Sequence, residues 1–147
     1  MLALADVAVV VSDAKASAQW WTEKLGFATH TLEGSGHAVL VAPPGERLLL
    51  HLCEGYAPLE PGNTGIAFMT DDLKATVARW SRAGVQFPDP PEPGTESRMA
   101  RFADPDGNVF WLVGAPAAFV RKAARLRAPT VARKKPRRPP TTRRARR

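Results

Sequence analysis

Short apolar runs and amphipathic stretches follow one another along the chain in an order that occurs twice. "VAVVV" (7–11) and "IAFMT" (66–70) are apolar and β-branched, a pattern that predicts strands. After each comes an aspartate, Asp13 or Asp72, placed to cap a helix. Beyond Asp13, Ala14, Ala18, Trp21 and Leu25 recur at i, i+4, i+7 and i+11, which is one stripe of a helix. Leu73, Val77 and Trp80 make the matching stripe in the second copy. Gly26 and Gly84 suit the left-handed position that ends a helix.

Shifting the first segment by 59 positions lays Ala8 on Ala67, Asp13 on Asp72, Lys15 on Lys74, Ala16 on Ala75 and Trp21 on Trp80. The rest of each copy reads strand, turn, strand, in "HAVLVAPPGERLLLHL" (37–52) and "RMARFADPDGNVFWLV" (98–113). In the second of these, Pro105 suits position i+1 of a type I turn and Gly107 the positive φ that follows. A further strand is expected near 28–33. Its counterpart, "QFPDPPEPGTES", holds four prolines, which forbid a central strand and leave a loop or a ragged edge. Each unit is then a strand, a helix and up to three more strands. Neither unit can bury its sheet alone, so the two must pair, within the chain or between chains.

Charge divides the chain. Residues 1–115 carry eight Lys and Arg against fourteen Asp and Glu, while residues 116–147 carry thirteen Lys and Arg and no acid. An acidic folded part, 1–115, with modules at about 5–54 and 64–114, is therefore expected to bear a basic tail, 116–147. "FVRKAARLR" can continue briefly as helix; the remainder has almost nothing apolar to bury and is expected to be disordered. The tail is expected either to attract nucleic acid through residues 121–147 without sequence preference, or to be merely solvated. The single cysteine, Cys53, excludes an intrachain disulfide. "MLALADVAVVV" has no basic leader region and is interrupted by Asp6, so neither a signal peptide nor a membrane span is expected, and a cytoplasmic location is.

The doubled unit, "VVVSDAKASAQWWTEKLGF" and "FADPDGNVFWLV" together resemble the vicinal oxygen chelate superfamily, to which glyoxalase I, bleomycin-resistance proteins and extradiol dioxygenases belong. The resemblance covers about residues 5 to 114. It implies an α+β fold in which paired βαβββ modules form a curved mixed sheet around a cavity. It also implies where metal ligands would stand in the family's metalloenzymes: on the first and last strand of each module. Those positions hold Asp6, Gly65, His51 and Trp111 here. Glycine has no side chain and an indole N–H only donates. Asp6 and His51 remain, too few for a typical catalytic zinc site. No metal and no cofactor are therefore expected.

Strand alternation puts Phe110 and Leu112 on the helix-packed side and Trp111 on the other. With the resemblance, alternation gives a ligand wall of Asp6, Val10, Leu49, His51, Met69 and Trp111, with Ala8, Gly65, Ala67 and Val109 between them. It is mostly apolar with two convergent polar groups, a small-molecule composition. Trp111 is either a stacking wall or a plug filling the space of a lost metal. His51 is either a cavity histidine paired with Asp6, or a base or ligand. His30 and His37 are expected on the surface. The resulting expectation is a metal-independent small-molecule-binding protein, a homodimer, sequestering a planar or cationic ligand. Two alternatives stand beside it: a metal-dependent lyase, isomerase or dioxygenase using Asp6 and His51, and a nucleic-acid-associated protein acting through its tail.

Overall fold

A computed structural model describes residues 6–31, 38–46, 48–55, 60–90 and 98–127. His37 and the tail beyond Arg127, for which surface exposure and disorder were expected, lie outside the described residues. The first module runs β1 (Val7–Val11), α1 (Ala14–Leu25), β2 (Ala28–Thr31), β3 (Val39–Ala42) and β4 (Leu50–Glu54). The second runs β5 (Asn63–Thr70), α2 (Leu73–Arg82), β6 (Gln86–Asp89), β7 (Met99–Ala103) and β8 (Val109–Gly114), followed by α3 (Ala117–Arg127).

The helices begin where the cap chemistry says they should. Asp13 accepts from the Ala16 amide at 2.8 Å, and Asp72 from the Ala75 amide at 2.9 Å. Gly26 ends α1 with φ of 74°. The second helix closes one residue differently: Ala83 keeps right-handed geometry, and Gly84 takes the positive φ of 91°.

Each module forms its own four-stranded mixed sheet, in the orders β1-β4-β3-β2 and β5-β8-β7-β6. The α+β doubled-module fold is thus as expected, with its sheet in two halves. In both halves the first strand of the module is an edge, paired in parallel only to the last. The proline-rich stretch supplies the other edge of the second sheet, β6, whose register to β7 is irregular.

One core serves both sheets. Val9, Val11, Leu50 and Leu52 enter it from the first sheet, and Ala100, Phe102, Phe110 and Leu112 from the second. Trp21 of α1 is fully buried and meets Phe110 edge-on, with ring centroids 5.0 Å apart. Trp80, its counterpart in α2, meets Phe102 at 5.1 Å, and Phe102 stacks on Phe110 at 5.3 Å. Trp21 therefore joins the two modules through their helix-packed faces, while Trp80 packs within its own module on the ring that continues the cluster, both using aromatic area that is costly to leave in water. His30 departs from the expected surface position: it is half-buried on β2, beside Leu40 in the register.

The joint between modules is made by the turn of "DPDGN". Asn108, 2 % exposed, donates from Nδ2 to the Val10 carbonyl at 2.8 Å and to Asp104 Oδ2 at 2.8 Å. Its Oδ1 accepts from the Gly62 amide at 3.2 Å. Asp106 of the same turn accepts from the Ser12 amide at 2.9 Å. One buried amide thus ties β1 to the entry of β5.

Candidate functional site

The residues expected to form a wall fall on the faces of the two sheets turned away from the shared core, as far as strand alternation and register place them. On the first sheet, Val9 and Val11 point into the core, so Ala8 and Val10 take the opposite side. The register sets Ala8 beside His51 and Val10 beside Cys53. Leu49 has the same parity as His51, and its carbonyl accepts from the Val7 amide at 3.0 Å. Asp6 and His51 are brought together: Oδ2 lies 3.8 Å from Nδ1, with both side chains partly exposed. That distance is an electrostatic approach and too long for a hydrogen bond. Cys53, two residues beyond His51 on the same face of β4, is buried, and its thiol is held above its ordinary value by burial first and by the Asp6 charge second.

On the second sheet, Phe110 and Leu112 are buried while Trp111 is 37 % exposed, as alternation requires. Trp111 stands beside Ala67 of β5 on one side and Arg101 of β7 on the other. The Arg101 guanidinium carbon lies 5.5 Å from the centre of the indole ring, a cation–π contact. Arg101 is also paired with Asp89 of β6. Alternation along one strand did not reveal Arg101. Register across the hairpin could have found it, because the turn that pairs Phe102 with Phe110 necessarily pairs Arg101 with Trp111.

The structure does not gather all six candidates into one cavity of a single chain. An open concavity of about 790 Å³ is lined by His51 and Cys53 with residues of the β1–α1 junction, and neither Met69 nor Trp111 belongs to it. Met69 pairs with Val113 on the Trp111 side by register, and it also lines a separate cavity on the helix side. The shared core explains this separation, since each sheet turns its wall outward from it.

The donor set does not fit a metal centre of the superfamily's kind. In the second module Gly65 has no side chain, and the Trp111 indole offers a donor only. Among the described residues no group of three or more His, Cys, Asp or Glu is placed to hold an ion. No helix among them is long and apolar enough to cross a membrane.

Known proteins place the chain. A curated relative, the uncharacterized protein YetH of Bacillus subtilis (strain 168), is 33 % identical over 111 residues, 72 % of this chain and 92 % of that one. Among solved structures, a superfamily member from Sphaerobacter thermophilus DSM 20745 matches with 29 % identity and a TM-score of 0.66, covering 78 % of this chain and 98 % of its own. TnmS3, an antibiotic binding protein from Streptomyces sp. CB03234, matches with 31 % identity and a TM-score of 0.64, again over 78 % of this chain and 98 % of its own. The sequence model of the Glyoxalase/Bleomycin resistance protein/Dioxygenase superfamily matches residues 3–112. With the doubled βαβββ unit and its "DPDGN" joint, that match makes the chain a member of this superfamily.

Proposed function

We propose that this protein binds and sequesters a small planar molecule without a metal, on the wall that carries Trp111. The observation that carries the reading is the ring itself. A large indole is left 37 % exposed on the outer face of a sheet, at a position where the superfamily's enzymes place a metal-binding carboxylate. Stacking and apolar contact are the attractions this wall offers, and a flat ligand uses both. Arg101 refines the ligand class. Its guanidinium already lies at the ring and would repel a cation there. A neutral or anionic planar ligand fits better than the cationic one that the acidic balance of residues 1–115 suggested. The similarity to an antibiotic binding protein supports binding as the activity.

The binding unit in this proposal is a homodimer. β1 and β5 are both edge strands without a charged residue to guard them, β1 wholly apolar and β5 apolar from Ile66 to Met69. Each sheet also turns its wall outward, so a second copy is needed to bring an Asp6–His51 face against a Trp111 face. A cytoplasmic location belongs to the same proposal. The test is calorimetric titration of 2-naphthoate, a flat anion, into protein held in EDTA. Saturable binding that Trp111→Ala removes supports the reading; saturation that needs added divalent metal rejects it.

The tail is a second, independent proposal. Thirteen positive charges without an acid between 116 and 147 draw polyanions by counterion release, and no aromatic follows Phe119 to stack on bases. The contact proposed is with nucleic acid of any sequence.

A further inference from the structure

The cavity on the helix side has walls unlike those of the Trp111 face. It holds about 420 Å³ and lies between the C-terminal end of α1, β5, α2 and α3. Phe27, Leu50, Phe68, Trp80 and Leu112 give it apolar walls, and Val120 of α3 contributes to its roof. Leu112 has the parity of Phe110, so the body of this space is on the other side of the second sheet from Trp111, and it reaches Ala67 and Met69 at the β5 edge.

Its polar groups are few and mostly spoken for. The Thr76 hydroxyl is 2.8 Å from that of Thr70, and one of the two donates to the other. Glu46 has a partner of its own. Arg79, on α2, is the cation of the lining, and it forms no ion pair among the described residues. An apolar chamber of drug-like size with one guanidinium at its rim has the chemistry of an anionic amphiphile site.

We propose that this cavity is a second ligand site, taking an apolar monoanion of the size of a medium-chain carboxylate, with its head group on Arg79 and its body between Trp80, Phe68 and α3. The site shares Ala67 and Met69 of β5 with the Trp111 wall but does not include Trp111. A guanidinium meets a carboxylate through charge-assisted hydrogen bonds, which an alcohol of the same chain length cannot match.

The test is calorimetric titration of the full chain with decanoate and with decanol. Decanoate should bind saturably and about tenfold more tightly than decanol, the difference a single charge-assisted contact makes. In Arg79→Gln, an exposed substitution, the two should bind alike. Ala123→Trp, which fills the cavity from α3, should lose both, and Trp111→Ala should change neither. Absence of saturable decanoate binding overturns the proposal. So does an unchanged preference for decanoate in Arg79→Gln, which leaves the proposal open to rejection even if Ala123→Trp does not fold. Loss of binding in a folded Trp111→Ala protein would move the ligand to the other wall.

Discussion

Asn108 Nδ2 lies 2.8 Å from the carbonyl oxygen of Val10, 98 positions away, and is the buried link between the last hairpin of the second module and the first strand of the first. The same side chain serves Asp104 and the Gly62 amide. A buried amide in that position satisfies a part-buried carbonyl on the edge of β1.

Replacing Asn108 with Ala should therefore cost about 2–3 kcal/mol, because it strands the buried Asp104 carboxyl and two part-buried backbone groups at once. Urea unfolding should show a lower midpoint with an unchanged slope. A loss below about 0.5 kcal/mol, the size of an ordinary surface change, would mean that the joint does not hold the modules together.

Asp104 gives the joint a pH dependence. Burial pushes its carboxyl above the ordinary carboxylate value, while hydrogen bonds from Asn108 oppose the shift and the Asp106 charge adds to it. The folded chain thus holds this proton more tightly than the unfolded chain does. Its contribution to stability is fully present below the unfolded-state value and is lost as pH rises through the folded-state value. Carboxyl-carbon NMR should find Asp104 titrating above the exposed carboxylates, and Asp104→Asn should remove that slope from the stability profile. An Asp104 titration at or below the exposed carboxylates contradicts the assignment.

Much of this architecture is legible in the sequence, because its determinants are local. The Trp21 and Trp80 stripes, the Asp13 and Asp72 caps and the edge position of the proline-rich strand follow from helical period, cap chemistry and the missing proline N–H. "DPDGN" is legible as a turn, but its role as a joint is not, since Val10 is distant in sequence and nothing near Asn108 announces it. Arg101 falls between these cases. Its place on Trp111 follows from hairpin register, a pairwise property that alternation along a single strand does not contain. The Asp6–His51 approach was legible only through the resemblance; the register sets Ala8 beside His51, and Asp6, two residues before Ala8 on the same face, reaches it diagonally.

The edge positions of β1 and β5 lead to a mass prediction. Light scattering of the full chain at micromolar concentration should return twice the mass of one chain, 15.9 kDa. A monomer mass at that concentration contradicts the homodimer.

The tail predicts a salt dependence. The full chain should bind duplex DNA irrespective of sequence, with affinity falling steeply as salt rises. A chain ending at Arg127 keeps α3 over its cavity and loses nine of the thirteen basic residues of 116–147. It should bind far more weakly while unfolding at the same urea concentration. Equal DNA affinity in the shortened chain would remove the tail as the determinant.

In the proposed binding mode Trp111 is a wall for a flat ligand and not a plug. Titration of 2-naphthoate in EDTA into the wild type, Trp111→Phe and Trp111→Ala tests it most directly. The wild type should bind saturably, Trp111→Phe should retain much of the affinity, and Trp111→Ala should lose about 1 kcal/mol or more, the worth of an aromatic stacking contact. A folded Trp111→Ala protein that binds 2-naphthoate as tightly as the wild type, or a wild type that binds only after divalent metal is restored, would contradict the account.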